Sequence, residues 1–225
     1  MYFTKALANS RNSYRSGSRF YRSYKSYNKY VFGRKHRLGI LLANSRQAEG
    51  DTRIHNIKWR DKVMKVNIRN VRMSDLDEIV DIEKQCFPIG EAAGREEFQK
   101  RIIAFSDNFL VAEYKGKLVG FINGSTTESS VIFDEMYHDI EYHNTSGHNI
   151  AIFGLDVIKE FRGLGIAAQL IQEFLDKARI KGKKSVILTC KLNLAHYYTR
   201  FGFVNNGISK SVHGGATWYD MSIEL

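Results

Sequence analysis

GLDVIKEFRGLGIA, residues 154–167, is the stretch from which the fold is read. The apolar run from Ile150 to Val157 reads as a strand, and a charged turn follows it. Apolar residues at 164, 167, 168, 171, 174, 175 and 178 then recur at the spacing of one helix face. Between strand and helix stand Arg162, Gly163, Leu164, Gly165, Ile166 and Ala167. Glycines at a helix mouth remove the side chains that keep a ligand off the backbone, and the first-turn N–H groups have no partner inside the helix. Such a mouth accepts an anion, ideally a pyrophosphate, with Arg162 placed to meet a phosphate. The competing reading is plain turn chemistry. No Gly-Lys-Ser/Thr follows, so this is not a P-loop, and the three-glycine dinucleotide fingerprint is also missing.

From Arg162 to Ala167 the chain resembles the Arg/Gln-x-x-Gly-x-Gly/Ala motif of the GNAT superfamily of acyl-CoA-dependent N-acetyltransferases. The likeness extends outward. The run SVILTCKLNLAHYYTRFGFVNNG is similar to that superfamily's next strand, short helix and Tyr-x-x-Phe-Gly-Phe turn, here Tyr198 to Phe203. With FPIGEAA (Phe87 to Ala93), GHNIAIFGLDV and a closing HGGATWYDM, the nearest branch is the arylalkylamine-N-acetyltransferase-like one. The resemblance spans Met64 to Leu225.

Moving outward, Val66 to Val71 reads as a strand, and Ser74 with Asp77 as a capping-box-like start to a helix through Cys86, which Pro88 stops. Next come a helix Arg95 to Phe105, a strand Asn108 to Tyr114, a Lys115-Gly116-Lys117 turn and a strand Leu118 to Gly124. From Ser125 to Gly147 the pattern loosens, with a short helix expected between Ser130 and Asp139. This segment reads either as a solvated loop or as a wall of an acceptor site, its carboxylates (Glu128, Asp134, Glu135, Asp139, Glu141) suiting a cationic amine and its rings the carbon skeleton. A helix Gly165 to Ile180, a strand Ser185 to Cys190, a helix Leu192 to Arg200 and strands around Phe203 and Thr217 to Ile223 complete the chain. The expected fold class is α/β (α+β): a mixed, mostly antiparallel sheet with helices on both faces. The resemblance adds that the strands ending at Val157 and starting at Ser185 are a parallel pair that splays apart to admit the pantetheine arm of acetyl-CoA.

Leu155, Asp156 and Val157 would then border the cosubstrate, the first and last through backbone groups, and Asn193 would contact the CoA chain unless it is a helix N-cap. An amine, with a pKa near ~10.4, arrives protonated and must lose a proton before attacking a thioester. The resemblance implies Glu91, in the FPIGEAA loop, as that base; the alternative is a capping or surface carboxylate. The two histidines that some members carry on the central strand are replaced here by Ala151 and Phe153. His148 and Asp156 are reserves. Tyr198 is expected to serve the departing thiolate. A phenol at about 10 is a weaker acid than a thiol at about 8.5, so donation runs uphill by roughly 2 kcal/mol and hydrogen bonding is the better description. The competing reading has Tyr198 packing with Tyr197.

The expected activity is direct acetyl transfer to a small primary amine of arylalkylamine or polyamine type. The alternatives are a protein N-terminal or lysine acetyltransferase and a non-catalytic CoA-binding module. No metal is expected, since neither the two cysteines nor His138, His143 and His148 has ligand spacing. The formal charge of +10 is concentrated in residues 1–63, which hold 15 Lys/Arg against 3 Asp/Glu, whereas residues 64–225 hold 19 against 21. The division expected is therefore a basic, disordered extension over 1–63 and a transferase domain over 64–225. For the extension an early start codon before Met64, an organellar transit peptide and a nucleic-acid-binding arm compete. Nucleic acid is expected as a partner only through that arm. A cytoplasmic monomer or homodimer without a membrane segment is expected, or an organellar one if the arm is a transit peptide.

Overall fold

The computed structural model describes residues 63–225, and the basic extension lies outside the described residues save Val63. The elements are β1 (Asn67–Asn70), α1 (Leu76–Cys86), α2 (Arg95–Phe105), β2 (Phe109–Tyr114), β3 (Lys117–Thr127), β4 (Asn149–Val157), α3 (Ile166–Ile180), β5 (Ser185–Cys190), α4 (Leu192–Thr199), β6 (Val204–Ile208) and β7 (Tyr219–Glu224). The seven strands form one sheet in the order β1-β2-β3-β4-β5-β7-β6. Every neighbouring pair is antiparallel except β4 with β5, so the sheet is mixed as the sequence predicts.

Alternation along the strands dictates two layers of helix. Leu110 and Ala112 of β2 join Ile150 and Ile152 of β4 on one face, where Leu170, Ile171, Phe174 and Leu175 of α3 cover them. Phe109 and Val111 face the other way with Phe121, and are covered by Ile79 and Ile82 of α1 and by Phe98 and Ile102 of α2. Phe98 meets Phe121 edge-on at 5.5 Å between ring centroids. All three phenylalanine rings are fully buried.

The helix α2 and the strand β5 occupy the expected residues. Three expectations change. β3 continues past Gly124 through Thr127, because its polar end is buried and bonded: Asn108 Nδ2 donates to Thr126 Oγ1 at 2.9 Å, and Ser125 Oγ pairs with His143 Nδ1 at 3.0 Å. The short helix expected between Ser130 and Asp139 is instead two 3-10 turns, Asp134–Tyr137 and Ile140–Tyr142. The N-cap of α1 is Asp75 rather than Ser74, and the Asp75 carboxylate closes the preceding 3-10 turn Met73–Asp75 by accepting the Arg72 N–H at 2.7 Å. Among the described residues no helix is long and apolar enough to cross a membrane.

Candidate functional site

The parallel pair sets the geometry. β4 and β5 are in register from Asn149 with Ser185 to Ile152 with Leu188, and both strands then run on without pairing to each other. A bulge contributes to the divergence. Asn123 of β3 sits opposite Gly154 and Gly124 opposite Ile152, which leaves Phe153 as an extra residue in β4. Beyond Ile152, the β4 edge that faces β5 has backbone groups without a strand partner.

A cavity of about 120 Å3 opens where the strands diverge. Tyr198, Cys190 and Thr189 form one side, and Glu83, Glu91 and Glu97 line it with the rings of Phe87, Tyr137, Phe153, His213 and Trp218. Tyr198 is held by edge-on contacts with Tyr197 and Phe203 at 5.7 and 5.8 Å. Its hydroxyl has no hydrogen-bond partner among the described residues, and burial pushes its pKa up. Held neutral, the phenol is a hydrogen-bond donor rather than an acid. Tyr137, whose hydroxyl meets Thr189 Oγ1 at 2.9 Å, is pushed up to about 12 by burial.

Glu91 reaches the cavity from the loop between α1 and α2, but Lys191 Nζ occupies both its oxygens at 2.7 and 2.9 Å. The Glu91 side chain is only 8 % exposed, and Lys191 also lies 5.5 Å from the centre of the Trp218 ring. His213 Nε2 stands 3.1 Å from the Glu91 carbonyl oxygen, so the loop is tied down at both backbone and side chain.

On the same strand, β4 leads to the helix mouth. Gly163 and Gly165 have φ of 75° and 79°, the left-handed region that favours glycine, and Gly165 is the N-cap of α3. The first-turn N–H groups of Ile166 and Ala167 have no intrahelical acceptor. Leu164 accepts the Met64 N–H through its carbonyl at 2.9 Å, and Gln169 Nε2 donates to the Met64 carbonyl at 2.8 Å, which braces the turn. Arg162 folds back along β4, donating from Nε to the Val157 carbonyl at 2.8 Å and from Nη2 to Cys86 Sγ at 3.4 Å. Leu155 packs toward the α3 side, while Asp156 points to the α1 side and is 1 % exposed. Asn193 is exposed in the first turn of α4, whose N-cap is Lys191, so it is no N-cap.

Of the segment expected as an acceptor wall, Tyr137 and His138 line the cavity, while three of its carboxylates are engaged elsewhere: Asp134 accepts from Ser211 Oγ and the Val212 N–H, Glu128 meets His148, and Asp139 caps a 3-10 turn. The cavity draws its acids from α1, α2 and the loop between them. Glu83, Glu97, Arg101, His213 and Trp218 were not singled out by sequence reasoning. Glu83 and Arg101 nonetheless carried a signal, since each occupies an apolar stripe: Leu76, Ile79, Val80, Glu83 on α1 and Phe98, Arg101, Ile102, Phe105 on α2.

Residues 76–203 match the family model for the acetyltransferase (GNAT) family. The "Probable hydrolase YhcX" of Bacillus subtilis is 29 % identical over 143 residues, which is 60 % of this chain and 28 % of that protein. "Acetyltransferase plu1384" of Photorhabdus laumondii is 28 % identical over 124 residues, 55 % of this chain and 73 % of that protein. The chain thus spans little more than a quarter of the first and nearly three-quarters of the second. The solved GphF GNAT-like decarboxylase in complex with isobutyryl-CoA superposes with a TM-score of 0.63 at 19 % identity, covering 70 % of this chain and 98 % of that one, a likeness of fold alone. The match over more than half of the chain, on a sheet whose one parallel pair splays beside a glycine-marked helix mouth, makes this chain a member of the GNAT acetyltransferase family.

Proposed function

We propose that this protein transfers acetyl directly from acetyl-CoA to a small primary amine of arylalkylamine or polyamine type. The observation that carries the reading is the cavity at the β4–β5 divergence, with the free Tyr198 hydroxyl on one side and the carboxylates of Glu83, Glu91 and Glu97 among aromatic rings on the other. Carboxylates draw in an ammonium, and ring faces add cation–π attraction and a fit to the carbon skeleton.

The residues present fit the cosubstrate. The N–H groups of Gly163 to Ala167 suit the pyrophosphate, assisted by Arg162 once its guanidinium swings outward. The unpaired edge of β4 at Leu155 to Val157 suits the pantetheine amides, with Asn193 beside the chain at the start of α4. A backbone N–H of this β4 edge stabilises the tetrahedral oxyanion. Tyr198 donates to the leaving thiolate. Glu91, held by Lys191 Nζ at 2.7 Å, serves the ammonium as a charged group beside it. Asp134 clips the 211–213 loop to the Asp134–Tyr137 turn, joining two cavity walls, which favours a compact amine over an extended peptide.

The test is mass spectrometry of acceptors incubated with the whole chain and acetyl-CoA: tryptamine, phenylethylamine, spermidine and short peptides with free N-termini. An acetylated amine of one small class supports the reading. Acetylated peptides alone would replace it with protein acetylation.

A further inference from the structure

Three acids and bases sit where the sequence pattern demands apolar residues: Glu83 on the α1 stripe, Arg101 on the α2 stripe and Asp156 inside the strand IAIFGLDV. The fold brings them into one buried cluster. Glu83 is 5 % exposed, Arg101 6 % and Asp156 1 %. Glu83 Oε1 accepts the Ala93 N–H at 2.8 Å, whereas Glu83 Oε2 and both oxygens of Asp156, like the neighbouring Asn123 Nδ2, are buried with no hydrogen-bond partner among the described residues. The two carboxyl groups lie within hydrogen-bonding reach of each other.

Two carboxylates in contact, out of water and lacking donors, cannot both be ionised. A proton between them supplies the missing donor. It belongs on Asp156, which receives no backbone N–H, while the amide of Ala93 favours the charged form of Glu83. We propose that Asp156 is a neutral carboxylic acid hydrogen-bonded to an ionised Glu83, and that Glu83, which lines the cavity, is the proton acceptor for the attacking amine. The inference rests on the acetyl-transfer reading and assigns its base.

The surroundings agree. Burial first, and then the neighbouring Glu83 charge, push the Asp156 carboxyl well above the usual carboxylate range. Burial also raises Glu83, bringing a base closer to working pH. The groups that face the pair are Cys86 from α1, Arg101 from α2, Arg162 from the loop after β4, and His213 from the loop before β7. With one proton shared, the pair's single negative charge is balanced by Arg101, whose Nη1 donates to Asn123 Oδ1 at 3.3 Å and Nη2 to the Tyr137 carbonyl at 2.9 Å.

In the transfer, an N–H bond of the substrate ammonium breaks and its proton moves to Glu83. The freed lone pair forms the C–N bond to the thioester carbonyl. On collapse the C–S bond breaks, the thiolate leaves with its electron pair, and the second nitrogen proton is balanced by protonation of that thiolate. Glu83 returns its proton to solvent. Asp156 touches no reacting atom and is a positioning residue.

The experiment compares the whole chain with Glu83→Gln and Asp156→Asn, by thiol release across pH and by infrared absorption of protonated carboxyl groups at neutral pH, with thermal melting as the folding check. Glu83→Gln is expected to lower kcat about 100-fold or more with the acetyl-CoA KM unchanged. Asp156→Asn, which mimics a neutral acid, abolishes a protonated-carboxyl band present in the unmodified protein and lowers kcat less deeply than Glu83→Gln. An Asp156→Asn defect as deep as that of Glu83→Gln, full activity in Glu83→Gln, or no such band at neutral pH would each overturn the proposal. A wild type that turns over no amine would refute the transfer reading and the base role together, whereas the infrared band decides the protonation of Asp156 by itself.

Discussion

Tyr198 has an aromatic body fixed by Tyr197 and Phe203 and a hydroxyl with no hydrogen-bond partner among the described residues, an arrangement that suits donation to the leaving sulfur. A hydrogen bond to a charged group contributes about 1.5–3 kcal/mol, so Tyr198→Phe should lower kcat for thiol release by roughly 10- to 100-fold while the acetyl-CoA KM holds. Equal kcat in the variant would reduce Tyr198 to a packing residue. At this scale a motif in the sequence marked Tyr198 and Glu91, and the fold brings both to the cavity. The sequence was silent where function depends on contact between distant segments. Glu83 is one such residue: its place on the apolar stripe of α1 is a sequence signal of burial, but only folding shows that Asp156, far along the chain, lies against it.

Elements carry the cosubstrate site. A Cβ on Gly165 would meet Val63 Cγ1 at 3.2 Å at a φ of 79°, so Gly165→Ala strains the turn that presents the helix mouth. Calorimetry should show CoA affinity reduced about 10-fold or more, with kcat at saturation little changed. On the opposite face of the sheet, Phe98→Ala removes a fully buried ring from its contacts with Phe109 and Phe121 and should cost about 3–5 kcal/mol in denaturant unfolding. Element identity was legible wherever apolar periodicity was unbroken, as in α2 and β5. It failed at Ser125 to Thr127, whose polar side chains look like a loop and are in fact satisfied inside the sheet by Asn108 and His143. The bulge at Phe153 and the end of the β4–β5 register are set by pairing between strands, which no local pattern records.

For the molecule as a whole, two buried carboxyl systems give stability opposite dependences on pH. Burial would push Asp75 up, but Arg69, paired with it at 2.7 Å, and the Arg72 amide hold it below the ordinary value, so its contribution is present at neutral pH and is lost as pH falls. Asp156 and Glu83 are raised, so their contribution is complete below the ordinary carboxylate range and is lost as pH rises through their folded values. The melting temperature should therefore pass through a maximum, and Asp156→Asn should flatten the alkaline side only. An unchanged alkaline side in the variant would contradict the buried acid.

The central claim is acetyl transfer to a small amine at the β4–β5 divergence. Its most direct test is CoA-thiol release by the whole chain with acetyl-CoA, measured with and without tryptamine, phenylethylamine or spermidine. The account predicts release that depends on one of these amines, saturates with it and falls sharply in Tyr198→Phe. Tight CoA binding with no amine-dependent release from any of them would contradict it.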